Sequence, residues 1–467
     1  MNHYFKYNNK KKVEIMDHKF INPIETRYRT EIANLFTEEK KLENWLKVEA
    51  VLAEVHAELG NIPKEAADEI NRKSNLKYVK LERVKEIDKE IHHDLMAMVK
   101  SLAEQCEREA GKYVHLGATS YDIEDTATAL QLREALHYIK SSLLELLKVL
   151  IKLTEEKMNL VCIGRTHGQH AIPTTYGMRF GVWAYEISRH LDRLIEVLDR
   201  ISFGKMSGAV GTMASFGEKA IEIQNTVMKK LDLNPVLIAN QVIQRDRHAE
   251  VIFLTSLIGQ SLAKIARENR ILQRNEISEM FEPFKRTQVG SSTMPHKRNP
   301  HKSERICSLA RVIKSNIIPA LDNIVLEDER DITNSASERV IFGENFVFLD
   351  YMIKELTTNL KGIEFNEIKI EENLNLTKGA CLSEKVMVQL VNKGIGRQEG
   401  HELLRQAAIK ARKENRYMKE ILYENSKINN LFSKEELNEM FDPHKYTGKS
   451  IDQVENLIKF IKSKYGW

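Results

Sequence analysis

The sequence is poor in proline and cysteine. Nine prolines occur in 467 residues, and none lies between Pro63 and Pro173 or between Pro319 and Pro443. Because proline interrupts helices, these two stretches permit long helices. The four cysteines are far apart and form no C-x-x-C pair. Neither a disulfide framework nor a zinc knuckle is therefore indicated, and a reducing cytoplasm is the expected setting.

A strong net charge and long apolar runs are also missing. The formal charge is +4, and the richest basic run, Lys10–Lys12, is short, which argues against a nucleic-acid partner. Nowhere do eighteen apolar residues run together, and the first twenty lack the apolar core of a signal peptide, so no membrane segment or export is expected. Residues 1–20 are predicted to be flexible, with Met16 as an alternative start.

What the sequence has in abundance is helical periodicity. Apolar residues recur at spacings of three and four in three runs, which is the pattern of amphipathic helices in a packed bundle. The second run, from Leu136 to Leu153, also has apolar residues outside its three-four spacing. We therefore expect that helix to lie near the centre of a bundle that is shared between subunits. Taken alone, each run is best explained as ordinary core. The fold class is therefore predicted as all-α, with small hairpins in loops such as 203–216. The runs are Leu42, Trp45, Val48, Leu52, Val55 and Leu59; Leu136, Ile139, Leu143, Leu146, Leu150 and Leu153; and Ile187, Leu191, Leu194, Leu198 and Ile201.

Three domains are predicted. A hydroxyl followed by acids at Thr119–Asp122 is a helix-start signal, so a long helix should begin there and an N-terminal helical domain should span residues 1–118. The central long-helix bundle should then span 119–369. Beyond residue 365 the apolar pattern lapses, and a C-terminal domain of shorter helices is predicted over 370–467.

Polar residues that no helix requires gather in a few segments, each of which also has an ordinary structural explanation. Thr119 and Ser120 could merely cap a helix. His115, His167 and His170 could be metal ligands, but glycines and a proline around them argue against a regular ligand-bearing helix. Single arginines are usually surface ion-pair formers.

One segment, GSSTMPHKRNP at residues 290–300, cannot be helical. Its two prolines fix a loop, while Gly290 and the paired serines give its front end freedom and hydrogen-bond donors. The spacing differs from that of a nucleotide-binding P-loop. A loop of this composition suits a lid that closes over an anion.

This loop resembles the signature of the fumarase/aspartase superfamily, whose members release fumarate by β-elimination. HLGATSYDIEDTA, GRTHGQHAIPTT, NQVIQRDRHAE and ERDITNSASER resemble the branch of the superfamily that cleaves adenylosuccinate, as do Arg27-Tyr28 and FDPHKYTG near the two ends. The likeness runs from about residue 20 to the C-terminus. His170 stands where some relatives have proline.

The resemblance implies roles for particular residues. Ser291 would be the base that removes a proton next to a carboxylate, and His167 the acid that protonates the leaving nitrogen. His93 would bind the substrate phosphate or assist the acid. The remaining implied residues would bind substrate. They are Arg27, Tyr28, Asp94, His115, Thr119, Ser120, Gln241, Lys297, Asn299, Arg305, Arg330, Ser335 and Arg339.

The same resemblance implies small-molecule nucleotide substrates, a homotetramer with active sites shared between subunits, and neither a metal nor an organic cofactor. Two alternatives stay open. One is a carboxymuconate cycloisomerase or another lyase of the superfamily, although a substrate without phosphate has less use for Arg27 and the ERDITNSASER cations. The other is a crystallin-like structural protein, against which the retained Ser291, His167, Lys297 and Asn299 count.

Overall fold

The computed structural model describes residues 22–284 and 287–467. The predictions for residues 1–20 and for Met16 fall outside this range. Helices dominate the described residues, and the only sheets among them are three two-stranded ones. The all-α prediction is therefore confirmed.

The N-terminal part consists of one helix of 21 residues and several shorter ones, and all but the first of them pack around one core; the first packs on α12. Trp45, Val48, Leu52 and Val55 are buried there, as their spacing predicts, and the same core includes Ile123 and other residues from the next long helix. The helices are α1 (Pro23–Thr26), α2 (Glu38–Glu58), α3 (Lys64–Lys73), α4 (Leu81–Ile91) and α5 (Asp94–Gln105).

The central part is a bundle of long helices that share the largest core. Helix α6 has 37 residues and begins at Ser120, where the cap signal predicts its start. Its predicted seam from Leu136 to Leu153 is buried, and so are Leu147 and Ile151 off the seam. A single chain already covers this helix on several sides, so its apolar character needs no second subunit. The helices are α6 (Ser120–Glu156), α7 (Tyr176–Ile201), α8 (Ala220–Lys230), α9 (Asp246–Leu272), α10 (His301–Ser315), α11 (Ile317–Asp322) and α12 (Thr333–Lys361).

Helix α9 combines length with an apolar composition. Within the described residues it is the one helix long and apolar enough to cross a membrane, by length and composition alone. Two thirds of its apolar window is buried inside the fold, against α7, α10 and α12. It is therefore a core helix of the bundle.

Shorter helices follow to the C-terminus, and residues between Val386 and Met440 form a core of their own. The last helix departs from this arrangement, because it packs back on α6 and α7. The domain boundaries at 118/119 and 369/370 stay predictions. The helices are α13 (Glu367–Asn375), α14 (Ser383–Asn392), α15 (Arg397–Glu414), α16 (Met418–Tyr423), α17 (Ser426–Leu431), α18 (Lys434–Met440) and α19 (Ser450–Tyr465).

The small sheets differ from the predicted hairpin. Segment 203–216 forms no hairpin, because Phe203–Gly204 pairs in parallel with Asn234–Pro235 and the backbone after it bonds to side chains of α6. The clear hairpin lies instead between α6 and α7, where β1 and β2 pair in antiparallel fashion. The strands are β1 (Val161–Thr166), β2 (Gln169–Thr175), β3 (Phe203–Gly204), β4 (Asn234–Pro235), β5 (Met280–Phe281) and β6 (Glu364–Phe365).

Candidate active site

All the predicted site residues except His115 fall into three groups in the structure. We call them the helix-start group, the hairpin and the loop group. The hairpin is β1–β2 with His167 at its turn. The loop group is Ser291, Lys297 and Asn299 with the nearby Arg27, Tyr28 and Arg305. The helix-start group is His93, Asp94, Thr119, Ser120, Gln241, Arg330, Ser335 and Arg339.

In the helix-start group, the N-termini of α5, α6 and α12 meet around a cavity of about 390 Å³. Its walls include His93, Ser120, Arg330, Ser335 and Arg339. Helix N-termini carry unpaired N–H groups and a partial positive charge, so each favours an anion. Three such ends and two guanidinium groups favour an anion in the cavity, whereas the acids in the same lining, Asp88, Asp94 and Glu124, oppose one unless they are paired or protonated.

His93 is the N-cap of α5. Its Nδ1 accepts a hydrogen bond from the backbone N–H of Met96 at 3.4 Å, and its Nε2 lies 3.4 Å from Ser120 Oγ. With Nδ1 accepting, the neutral ring carries its hydrogen on Nε2, which faces the cavity side. The local fold thus presents His93 as a donor to whatever occupies the cavity.

Arg339 is held in place by an acid. Its Nη2 donates to Asp94 Oδ2 at 2.7 Å, and Lys41 approaches the same oxygen at 3.2 Å. Burial opposes ionisation of Asp94, but these two cations keep its pKa below its ordinary value. Asp94 therefore orients Arg339, and it contacts a substrate only if the ion pair rearranges.

Arg330 is positioned just as firmly. Its Nη1 donates to Gln241 Oε1 at 2.8 Å, and its guanidinium lies 3.7 Å from the ring centre of Tyr121. Gln241 in turn donates to the carbonyl of Ala209 at 2.8 Å. Arg330 Nε is buried without a hydrogen-bond partner among the described residues.

Sequence reasoning missed the charges beneath this group. Asp122 is fully buried, where it ion-pairs with the equally buried Lys205 and accepts from the backbone N–H groups of Ser207 and Gly208. Glu124, one turn into α6, borders the cavity, and burial together with the nearby Asp94 raises its pKa to about 7. The acids after Ser120 signalled a helix start, and nothing in the sequence indicated their distant partners.

His115 is not brought into this cavity. Its Nδ1 lies 2.6 Å from Glu49 Oε1, and its backbone N–H donates to Glu49 Oε2 at 3.1 Å. Glu49 is 1 % exposed and belongs to α2. The geometry gives His115 a link to the N-terminal core, and its substrate-binding role stays a prediction.

His167 occupies the turn of the hairpin. Thr166 pairs with Gln169, so His167 and Gly168 form a two-residue turn, and both have positive φ (52° and 75°), as a type I′ turn requires. His167 is exposed at this tip. The hairpin therefore presents the imidazole outward, away from the rest of its own chain.

The loop group is built around Ser291. Its Oγ accepts hydrogen bonds from the backbone N–H groups of Thr293 at 3.3 Å and Met294 at 3.1 Å. Such donors stabilise an alkoxide more than a neutral hydroxyl, which favours deprotonation of the serine. Asn299 Nδ2 donates to the carbonyl of Gly290 at 2.9 Å and closes the loop on itself.

Next to the loop, Arg305 on α10 donates to Tyr351 OH at 2.6 Å. Tyr28 packs edge-on against the Tyr351 ring, with ring centres 5.2 Å apart, while Arg27 beside it is exposed. Tyr28 near the N-terminus and Arg305 of α10 thus both contact Tyr351 of α12.

A second feature near the loop is a cavity of about 1300 Å³ between α9 and α10, which we call the basic groove. Glu276 and Glu304 are the acids in its lining. Arg267, Arg311 and Lys314 pair with no carboxylate in residues 22–284 and 287–467. The cations of the groove are Lys264, Arg267, Arg270, Arg274, Lys297, Arg298, Arg311 and Lys314, with His296 beside them.

The helix-start group and the hairpin lie far apart within one chain. Ser120 is the first residue of α6 and the hairpin follows its last turn; a helix of 37 residues spans ~55 Å. Among the described residues, no hydrogen bond or ion pair joins members of two different groups. One chain therefore cannot gather His93 and His167 around one small molecule.

The metal alternative finds no geometric support. In the part of the chain that the structure describes, no three His, Cys, Asp or Glu side chains are placed to hold a metal ion. The Nδ1 atom of His115 is hydrogen-bonded to Glu49, and His167 lies at an exposed turn.

Comparison with known proteins identifies the family of the chain. Residues 26–314 match the family described as Lyase, and residues 379–457 match the family described as Adenylosuccinate lyase C-terminus. The fold resembles the crystal structure of 3-carboxy-cis,cis-muconate lactonizing enzyme from Pseudomonas putida, with a TM-score of 0.84 at 28% identity over 92% of this chain and 96% of that one.

Sequence similarity to one branch is much higher. The adenylosuccinate lyase of Methanocaldococcus jannaschii is 52% identical over 95% of this chain and 96% of its own length. That of Pyrococcus abyssi is 52% identical over 95% of this chain and 98% of its own length. The chain belongs to the adenylosuccinate lyase family.

Proposed function

We propose that this protein cleaves adenylosuccinate to AMP and fumarate by β-elimination, and that it releases fumarate in the same way from succinyl-aminoimidazole-carboxamide ribotide in purine nucleotide biosynthesis. The observation that carries the proposal is the 52% identity, over nearly the whole chain, to relatives that bear the name adenylosuccinate lyase. The geometry of the three groups supports each chemical role.

The phosphate of the substrate would occupy the cavity at the helix-start group. Three helix N-termini and the cations Arg330 and Arg339 favour a dianion there, and Ser335 and Ser120 supply hydroxyl donors. His93 would donate from Nε2. Arg27 and Tyr28 would complete the nucleotide contacts, and Thr119, Gln241 and Arg305 would contact the succinyl part.

The elimination needs a base, an acid and stabilisation of a transient dianion. Ser291 would take the proton from the carbon next to a carboxylate, helped by the two N–H groups that already bond its oxygen. Lys297 and Asn299 would hold that carboxylate while its charge grows. As the carbon–nitrogen bond breaks, His167 would give a proton to the leaving nitrogen.

Because the groups are separated by the length of α6, the site would be assembled from several subunits of a homotetramer. Exposed apolar side chains support self-association: Phe253 on α9 is 54 % exposed, and Ile318 and Leu321 on the adjoining α11 are 67 % and 53 % exposed. Apolar surface of this kind commonly marks an interface. We place the enzyme in the cytoplasm, and the chemistry assigned to Ser291 and His167 requires no metal or organic cofactor.

The direct test is incubation of the purified protein with adenylosuccinate, with AMP and fumarate measured by chromatography. Equimolar products are expected. A folded protein that yields neither product, but converts 3-carboxymuconate to its lactone, would instead support the muconate alternative suggested by the solved structure.

Mutation tests the roles and the sharing of sites together. Ser291→Ala and His167→Gln should each lower kcat by at least ~100-fold while substrate still binds. If the two residues of one pocket come from different subunits, mixing and reassembling the two variants should restore up to roughly a quarter of wild-type activity. If correctly assembled mixtures regain no activity, the proposal that active sites are shared between subunits is wrong.

A further inference from the structure

Two buried glutamates flank strand β5, between the hairpin and the loop that the proposed mechanism uses. Glu279 is 0 % exposed and Glu282 is 6 % exposed. Neither side chain lies in the cavity of the helix-start group. A buried carboxylate is costly unless it is fully hydrogen-bonded, so its partners show what it is retained for.

Glu279 joins three elements to β5. It pairs with Arg165 of β1, accepts from Tyr176 OH at 2.7 Å at the start of α7, and accepts from Asn373 Nδ2 of α13 at 2.9 Å. Burial opposes its ionisation, but the hydrogen bonds from Arg165 and Tyr176 keep its pKa below the ordinary value. Arg165 is two residues before His167 and Tyr176 directly follows β2, so this network holds the hairpin both near its turn and at its base.

Glu282 closes the base of the loop. Its carboxylate accepts from the backbone N–H groups of Lys302 at 3.2 Å and Ser303 at 2.7 Å, which lie in the first turn of α10. Asn359 of α12 donates to it at 3.0 Å. An anion at a helix N-terminus is favourable, so Glu282 ties the entry of the loop to its exit.

Gln273 strengthens the same closure. Its Oε1 accepts from the backbone N–H of Glu282 at 2.9 Å, and its Nε2 donates to the carbonyl of Arg298 at 2.9 Å. The residues before and after Ser291 are thus bonded to one another through two side chains.

We propose that Glu279 and Glu282 are positioning residues of the proposed lyase. Glu279 orients the hairpin that presents His167, and Glu282 holds closed the base of the loop that presents Ser291. The inference rests on the proposed function, since it concerns the acid and the base of that reaction. The two glutamates act on different proton transfers, because one supports the acid and the other supports the base.

Proton transfer is sensitive to such support. A mutation far from the reacting atoms that misplaces them by about 1 Å can cost ~100-fold in rate, because donor and acceptor leave their reactive alignment. Replacing glutamate by glutamine keeps the size of the side chain but removes the charge that Arg165 or the α10 N-terminus requires.

The experiment compares Glu279→Gln and Glu282→Gln with the wild-type enzyme, using adenylosuccinate with and without deuterium at the carbon that loses its proton. Both variants should show kcat reduced by at least ~10-fold with KM changed by less than about threefold. Glu282→Gln should enlarge the deuterium isotope effect, because abstraction by Ser291 becomes slower. Glu279→Gln should not enlarge it, because the step that this variant slows is proton donation to the leaving nitrogen.

The matched control is Asp350→Asn. Asp350 is 0 % exposed and bonds to Ser142 at 2.8 Å and Lys354 at 3.0 Å, so it is a buried carboxylate that contacts neither the hairpin nor the loop. It should lower the Tm with kcat, the isotope effect and the pH profile unchanged. If the glutamate variants behave like this control, the inference is wrong.

Two milder substitutions keep the test decisive if a charge-removing variant does not fold. Tyr176→Phe removes one bond to Glu279, and Asn359→Ala removes one bond to Glu282. Each should reproduce the pattern of its glutamate variant at smaller amplitude, and unchanged kinetics in both would overturn the inference. A wild-type protein inactive on adenylosuccinate would instead refute the proposed function.

Discussion

At the scale of single residues, His115 links the stability of the fold to pH. Burial alone would lower its pKa, but the charge and hydrogen bond of Glu49 raise the pKa above 6.5. A group whose pKa is higher in the folded state stabilises that state fully below its unfolded pKa. The contribution is lost as the pH rises through the folded pKa.

We therefore predict that His115→Gln lowers the Tm at pH 6 and that its difference from the wild type narrows as the pH rises above the folded pKa. Thermal unfolding at a series of pH values between 6 and 9 measures this. His444→Gln is the control, because His444 pairs with Glu371 at an exposed site, where ion pairs contribute little. A Tm difference that stays constant over this range would exclude the His115–Glu49 pair as its cause.

The sequence revealed chemically distinctive residues but not their partners. Ser291, His167 and His93 stand in segments whose composition no helix explains, and a family pattern assigns them roles. Asp122 and Lys205 are 83 residues apart, and Arg165 and Glu279 are 114 apart. Pairs at such distances are made by tertiary folding, so a single sequence contains no local signal for them.

At the scale of elements, the front of the loop that contains Ser291 depends on a glycine. A Cβ on Gly290 would lie 1.9 Å from the carbonyl oxygen of Lys297. No side chain fits that space, so the front and back of the loop pack together only when residue 290 has none. From the sequence we expected Gly290 to provide conformational freedom. In the structure its role is to let two backbone segments approach closely.

Gly290→Ala should force the loop open and lower kcat by ~10-fold or more, with the Tm changed by only a few degrees because the loop lies outside the core. Steady-state kinetics and thermal unfolding measure both quantities. Gly396→Ala is the control: its φ is −58° and nothing lies within 4 Å of the added Cβ. Normal kcat in Gly290→Ala would mean that the loop functions in another conformation.

Helices were predictable from sequence and strands were not. The cap at Thr119 and the three-four spacing through Leu153 specify the start and buried face of α6 without reference to other elements. The hairpin carries glycine, histidine and arginine where strands usually alternate polar and apolar residues. Its pairing is supported by Glu279 from a distant segment, so its own sequence lacks the usual pattern.

At the scale of the whole molecule, assembly should control activity. Leu321→Lys on α11 places a charge on the exposed apolar surface shared with α9, and we expect it to produce smaller oligomers with little activity. Light scattering and the lyase assay on the same sample measure both. Ile409→Lys, at a site 55 % exposed on α15, should change neither. An active tetramer of Leu321→Lys would remove this surface from the interface.

The basic groove should make substrate binding depend on ionic strength. Cations of the groove that have no ion-pair partner among residues 22–284 and 287–467 should attract a substrate with a phosphate and two carboxylates, and salt screens such attraction over about 10 Å at 0.1 M. The KM for adenylosuccinate should therefore rise with ionic strength, and Arg267→Gln combined with Arg311→Gln should flatten that rise. Equal salt dependence in wild type and double variant would show that the groove does not attract substrate.

The length of α6 has a further consequence. A helix of ~55 Å separates the cavity of the helix-start group from His167 in each chain, so under the proposed assignment a freshly synthesised monomer would hold the reactive groups without a complete pocket. Specific activity should then fall on dilution, with the steepness of a multi-chain equilibrium, and recover on concentration. In the cell, the rate of nucleotide production would rise more steeply than in proportion to the concentration of this protein.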